Sequence, residues 1–363
     1  MNYRIAKLLA TTEYTTDKVE IIDVDLADPV SMLQIFYSAY NDTPLAGVTA
    51  NLHPAGCISK IDLVDGSDLL FSLSGFEAQA LDFYHNKKMP YHNIRYLNNN
   101  YSHSVYQLNF GRFLYDTLLA FDPKKFTNPQ LKISINLDGG GCACDAGRME
   151  VLAHTFDEKA VTPAGFLMAK ELVSYTLADN AHEYIDLPTD HPYRKLLVSP
   201  RRPGTQPDVQ LAHVKLSQDG DKKVVIDEDI RNLIAILQSN TPPCEETIAG
   251  QGSGATWYFG CMPAHQVRVI GCGWAAAASN SVRFYQGDGG RFQQIQATAG
   301  PNWQAQAKGW CPHCAIEIPF GLQDEIEDWF DVTKIGSLKL DITGGESVDS
   351  QTCQVFLQQL RNY

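Results

Sequence analysis

The residue types with the most chemical potential stand late in the chain, in Trp310-Cys311-Pro312-His313-Cys314. Two cysteines with two residues between them can share a lowered thiolate pKa and exchange disulfides. That chemistry belongs beside a βαβ unit, but too little chain lies beyond Cys314, and residues 320–345 match an internal repeat. A second combination is zinc. Cys142-x-Cys144 and Cys311-x-x-Cys314 together offer four thiolates, the number of a structural site, although the two pairs fall in different halves of the sequence. Free thiols or a local disulfide are the third reading. Between Lys87 and Gln107, His92 and His103 stand among Asn98, Asn99, Asn100 and Tyr101. Their spacing fits no standard metal site, and the stretch reads as a polar loop. Glu245-Glu246, or Asp324, Glu325, Glu327 and Asp328, could imitate the carboxylate pair of a glycoside hydrolase. The second group reads more simply as the solvated face of a short helix, because Leu322, Ile326, Trp329 and Phe330 fall at i, i+4, i+7 and i+8. The sequence holds no Gly-x-Ser-x-Gly elbow, no phosphate-binding loop and no His-Glu-x-x-His. Neither an enzyme nor a cofactor is expected.

The elements that would carry these residues repeat. Phe110-Gly111, Asp116, Phe121-Asp122, Leu131 to Ile135 and Gly139-Gly140-Gly141 recur in the same order as Phe320-Gly321, Asp324, Phe330-Asp331, Leu338 to Ile342 and Gly344-Gly345. Upstream, Lys60 to Val64, Asp65-Gly66 and Leu69 to Leu73 read as a hairpin, and so do Val214 to Ser217, Asp219-Gly220 and Val224 to Ile226. Asp-Gly between apolar runs favours a tight hairpin turn. Each hairpin is followed by helical spacing: Phe76, Ala80, Leu81 and Tyr84 in the first half, Ile230, Leu233, Ile234 and Leu237 in the second. The unit is too long for a solenoid, so the pattern predicts two similar domains, residues 1–164 and 165–363, with the junction near Thr162-Pro163-Ala164-Gly165. The halves differ between Leu237 and Phe320. There the second carries a long Gly- and Ala-rich excess with Trp257, Trp274, Trp303 and Trp310, expected to be a folded insertion over about residues 240–315.

Composition narrows the classes. A length of 363 residues suggests about two domains. A formal charge of -13 argues against a protein that coats nucleic acid. No apolar run is long enough for a membrane span, and the N-terminus shows no apolar secretory signal. Nine cysteines, an odd number, fit assembly in a reducing cytosol. Met1 to Thr12 carries Arg4 and Lys7 beside Ile5, Leu8 and Leu9, with no acid before Glu13. It reads as a surface strand or short helix. A sharper reading makes Arg4, Lys7 and Leu8 a basic arm that touches a membrane or a neighbouring subunit.

This order of features resembles the double jelly-roll major capsid proteins of tailless icosahedral viruses, the lineage of adenovirus hexon. The resemblance covers most of the chain. It rests on the two units, on Leu73-Ser74-Gly75 with the helix to Tyr84, and on Phe110-Gly111-Arg112 with Asp116. It rests further on Asn128 to Ile133, on Leu187-Pro188-Thr189-Asp190 with Tyr193-Arg194-Lys195, and on Leu338 to Gly345. It implies an all-β chain of two tandem eight-stranded jelly rolls, with short helices and a long insertion in the second that stands out as a tower. It also implies homotrimeric, pseudo-hexagonal capsomers in an icosahedral virion assembled in the host cytoplasm. Implied partners are further copies, vertex and minor capsid proteins, and an internal lipid membrane, without direct nucleic-acid contact. The alternative from the residues themselves is an all-β carbohydrate-binding or carbohydrate-active protein, whose insertion tryptophans would stack on sugars.

Overall fold

The computed structural model describes every residue except 1, 42–51, 141–143, 254–255, 274–281, 286, 297–298 and 349–350. The first half runs β1 (Tyr3–Tyr14), β2 (Lys18–Asp23), β3 (Val30–Asn41), β4 (Ile58–Asp65), β5 (Asp68–Leu73), helix α1 (Gly75–Asn86), β6 (His92–Tyr96), β7 (Asn100–Asn109), β8 (Pro129–Ile135) and β9 (Cys144–Phe156). The second runs β10 (Gly165–Thr176), β11 (His182–Leu187), β12 (Tyr193–Arg201), a short α2 (Pro207–Gln210), β13 (Leu211–Gln218), β14 (Lys223–Asp229) and α3 (Ile230–Asn240). It continues through β15 (Cys244–Ser253), β16 (Thr256–Gly260), β17 (His265–Gly273), β18 (Val282–Tyr285), β19 (Arg291–Gln296) and β20 (Ala299–Trp310). It closes with β21 (Ile316–Pro319), β22 (Leu338–Gly344) and β23 (Thr352–Asn362).

Both halves are eight-stranded jelly rolls of the same topology. Strands β1-β9-β3-β7 oppose β2-β8-β4-β5 in the first, and β10-β23-β12-β21 oppose β11-β22-β13-β14 in the second. Alternation along the strands explains the sandwich. In β8, Leu131, Ile133 and Ile135 are buried while Lys132 and Ser134 are half-exposed, and in β22 Leu338, Leu340 and Ile342 are buried while Lys339 faces out. The rolls are fused twice. Strand β10 pairs in parallel with β5, setting Ala169 opposite Phe71, and β15 pairs in parallel with β6, setting Ile248 opposite Ile94. The first fusion makes one eight-stranded sheet across the domain junction. The second hangs β15, β20 and β17 on the sheet of the first roll.

The internal repeat is a repeat of contacts. In the first roll Phe121 bridges Val30 at the start of β3, and in the second Phe330 bridges Tyr193 at the start of β12. The turn aspartates of the two Asp-Gly hairpins make matching bonds. Asp65 accepts the N–H groups of Thr127 (3.1 Å) and Asn128 (2.7 Å), just before β8, and Asp219 accepts those of Gly336 and Ser337 (both 3.0 Å), just before β22. Gly66 and Gly220 supply the positive φ of these turns, +61° and +67°. Arg112 then joins the two copies of the Phe-Gly loop: it pairs with Asp116 at 2.7 Å and donates to the Asp324 carbonyl at 2.8 Å.

Helix α1 lies between the rolls and nine of its residues are buried. Its start is a capping box, with the Glu77 carboxylate accepting from the Ser74 N–H at 2.7 Å and the Ser74 hydroxyl accepting from the Glu77 N–H at 3.4 Å. Strand β12 is buried on both faces over Tyr193 to Pro200, so Arg194 and Lys195 need partners inside. Arg194 donates to Gln358 (3.0 Å) and to the Gln323 carbonyl (3.1 Å), and Lys195 donates to the Tyr84 carbonyl (3.0 Å) and pairs with Glu317.

Two expectations need correction. The stretch from Lys87 to Gln107 is a β6–β7 hairpin rather than a loop. Several of its polar groups bond nearby: the Ser102 hydroxyl bonds the N–H and carbonyl of Arg95, and Ser38 meets His103 Nδ1 at 2.7 Å. Leu322 to Phe330 is no amphipathic helix. Only Ile326–Asp328 forms a single 3₁₀ turn, Leu322 is exposed and Trp329 is buried. Side chains bond the backbone there instead, Trp329 Nε1 to the Leu322 carbonyl and Asp328 to the Leu322 N–H. The N-terminal stretch is a surface strand, as one of its two readings has it: edge strand β1, paired with β9 along its length.

Candidate functional site

Among the described residues, the densest group of chemically capable side chains lies at the root of the insertion, where β15 meets the first roll. Successive residues on a strand face opposite ways, so Glu245 and Glu246 part company. Glu245 faces out to Lys308 and Gln306. Glu246 points inward and is buried between His53, in the segment that leads to β4, and His92, on β6. Glu246 Oε1 accepts from His53 Nε2 at 2.8 Å and from His92 Nδ1 at 3.0 Å, while Oε2 accepts the Met262 N–H at 2.9 Å. The adjacent carboxylates therefore form no glycosidase pair. Burial opposes ionisation of Glu246, and the two imidazoles that face it outweigh burial and hold its carboxyl below the usual range.

The donor atoms of His53, His92 and Glu246 lie within 4.8 Å of one another, and two imidazoles with a carboxylate are ligand types that suit zinc. The hydrogen bonds argue otherwise. His53 Nδ1 accepts the Ala55 N–H at 3.0 Å. A neutral ring that accepts at Nδ1 carries its proton at Nε2, so His53 donates to Glu246 and has no lone pair there for a cation. A metal-bound histidine ordinarily donates its other N–H to an acceptor, and here that position faces a donor. His92 donates to Glu246 through Nδ1 in turn, and its Nε2 is buried with no hydrogen-bond partner among the described residues. The cluster is thus a carboxylate clamped by two neutral imidazoles and one backbone N–H. His313 extends it, with its ring 4.9 Å from that of His53 and its Nε2 2.9 Å from Gln79 Oε1 of α1. A pocket of about 310 Å³ opens beside it, lined in part by His53, His313, Phe76, Arg201 and Cys314. Arg201 stacks on Phe76 there, 3.6 Å from the ring centre.

The thiols do not behave as a redox pair. Cys311 and Cys314 are both free and buried. Burial pushes Cys311 well up and Cys314 up to about 12, the opposite of what a reactive thiolate needs. Of the zinc combination, Cys142 and the side chain of Cys144 lie outside the described residues. In the N-terminal strand, Lys7 pairs with Glu150 at 2.8 Å and Arg4 reaches Asp28 at 3.5 Å, while Leu8 packs half-buried against the core. The tryptophans offered to a sugar are structural. Trp303 is fully buried among Phe259, Phe284 and Phe292, and Trp257 and Trp310 are half-buried against the core. Trp274 lies outside the described residues.

Sequence reasoning alone does not find the cluster. It places His92 in a polar loop and Glu246 in a candidate dyad, and it gives His53 no role. The only signal is the inward phase of Glu246 on an otherwise strand-like segment, a buried acid that must find partners.

No protein-family model matches the sequence, and no curated protein matches it. Solved structures do. The major capsid protein P2 of bacteriophage PM2 is similar over 99% of this chain and 98% of its own, with 11% identity and a TM-score of 0.56. The major capsid protein of STIV is similar over 100% and 98%, with 12% identity and a TM-score of 0.59. VP54 of PBCV-1 is similar over 99% and 94%, with 10% identity and a TM-score of 0.56. At these identities the likeness speaks for architecture, and it spans both halves: the chain has the double jelly-roll fold found in these viral capsid proteins.

Proposed function

We propose that this chain is the major capsid protein of an icosahedral virus and that it acts as a homotrimer. The observation that supports this best is the likeness to capsid proteins over 99–100% of the chain. The reading treats residues 1–164 and 165–363 as the two rolls and about 240–315 as an outward tower. Two similar rolls per chain give a trimer six similar units, hence a pseudo-hexagonal block that tiles a shell. Its partners would be further copies of itself, vertex and minor capsid proteins, and an internal lipid membrane, with no direct contact to nucleic acid. Its place would be the virion shell, built in the host cytoplasm. The ordinary chemistry of the insertion root supports a structural rather than an enzymatic role, because its acid, imidazoles and thiols are spent on internal bonds or suppressed by burial. Edge strand β1 is a suitable neighbour contact, since its cations are already paired and its outer backbone is open.

Native mass tests the reading. Light scattering on a sizing column should give three times 40.3 kDa, and imaging of that peak should show hexagonal particles. A monomer that never assembles at any concentration overturns it.

A further inference from the structure

We propose that the His53–Glu246–His92 contact is an acid-released latch: it ties the insertion to the first jelly roll at neutral pH, and proton uptake by its imidazoles opens the root of the insertion. Three segments far apart in sequence meet in it, the segment before β4, strand β6 and strand β15. Beside it the β6–β15 pairing runs over Ile94 to Tyr96, three residues long, the Tyr96 hydroxyl donates to the Gly260 carbonyl at 2.9 Å, and His313 meets Gln79. An edge pairing of that length needs side-chain support to stay closed.

The closed contact has no room for more protons. Protonating His53 would place an N–H at Nδ1 against the Ala55 N–H that already donates to it. Protonating His92 would place an N–H at a buried Nε2 that has no acceptor among the described residues. A third ring, His313, then stands 4.9 Å from His53, so charging the imidazoles sets like charges side by side around one carboxylate. Of the groups packed here, Cys244, Cys261, Cys311 and Cys314 are buried neutral thiols, and Arg201 of β12 is cationic and near His313. Helix α1 contributes Gln79 and Glu77; burial pushes the Glu77 carboxyl up to about 7, so it takes up a proton over the same range with the opposite sign, but it bonds Ser74 within the α1 cap and not the latch. Glu245 faces away to Lys308.

Imidazoles in water protonate near pH 6.5. Burial holds His92 and His313 below that value. The open root therefore binds protons first as pH falls, so closure is fully favoured above about pH 6.5 and weakened below it.

Hydrogen exchange on the full chain tests this. Rates would be compared at about pH 7.5 and about pH 5, corrected for the intrinsic chemistry of exchange. The amides of β6, β15 and β20 should exchange about tenfold faster at the lower pH, while those of β8 and β22 keep their protection. His92→Gln keeps an N–H for Glu246 but cannot titrate, and it should cut that response to about threefold or less. An insertion whose protection is the same at both pH values overturns the latch, and so does a His92→Gln chain with the full response. If that variant fails to fold, NMR titration of the wild-type imidazoles decides. His92 and His313 should protonate well below pH 6.5, together with the loss of protection; titration near 6.5 with the root still closed overturns the proposal.

Discussion

The two jelly rolls share a plan and diverge in how they treat the same connection. After the first Asp-Gly hairpin the chain forms α1, buried between the rolls, and returns through the short strand β6. After the second it forms α3, which buries only Ile230, Ile234 and Leu237, and then runs through six strands before β21. One connection became internal mortar and the other became an outgrowth. The reason is visible in their surroundings. The first faces the junction, where every polar group must be paired, and the second faces outward, where added chain costs little beyond loop entropy.

That contrast can be broken most forcefully at β12. Tyr193 and Val30 occupy equivalent bridge positions, so two residues on, Lys195 corresponds to Met32. Both side chains are buried. The second roll thus keeps an ion pair where the first keeps a thioether. Lys195→Ala should cost about 3–5 kcal/mol by stranding the Glu317 charge. Lys195→Met with Glu317→Gln, which copies the first roll (Met32 and Gln107), should recover most of that in urea unfolding. A single variant as stable as the wild type would show that the pair carries no buried charge.

A second test separates α1 from the insertion by pH. Burial pushes Asp82, on α1, up to about 7, against the bonds it receives from Asn109 and Asn86. The raised carboxyl favours the folded state while it is protonated, so this contribution is present below about pH 4 and lost as pH rises towards 7. Asp82→Asn should therefore raise the melting temperature at pH 8 by several degrees, about 1–2 kcal/mol, and change little near pH 4. The insertion root is expected to respond with the opposite sign. An Asp82→Asn gain that is the same at both pH values would remove the proton from the explanation.

The smallest effect probes what the rolls have in common. Asp65→Ala and Asp219→Ala each remove two backbone bonds at the start of an equivalent strand. Each should cost about 1–2 kcal/mol by thermal unfolding, and the two costs should agree within about 0.5 kcal/mol. A large inequality would mean that the repeat is one of sequence and not of energetics.

Much of this plan is legible in the sequence, because its signals are local. Asp-Gly turns, the alternation of Leu131 to Ile135 and Leu338 to Ile342, and the spacing of Phe76, Ala80, Leu81 and Tyr84 each act over a few residues. The β6–β7 hairpin is hidden because its polar residues find partners only after folding, Ser102 on the Arg95 backbone, His103 on Ser38 and His92 on Glu246. The Leu322 stripe misleads because periodicity alone does not register that the carbonyls of Leu322, Gln323 and Asp324, which a helix would use, accept from the side chains of Trp329, Arg194 and Arg112. The root cluster cannot be read at all. Glu246 is 193 residues from His53 and 154 from His92, and no spacing rule reaches that far.

The parallel pairing of β5 with β10 also bears on how the chain is made. Strand β5 is complete by Leu73, but its neighbour β10 begins only at Gly165. A ribosome that has released the first roll has therefore released it with the β5 edge bare, and bare edges recruit other chains. Synthesis of β10 caps that edge from within the same polypeptide. Tandem fusion of the rolls is in this sense a built-in chaperone: each nascent molecule carries its own blocking strand, and crowded neighbours are denied the site.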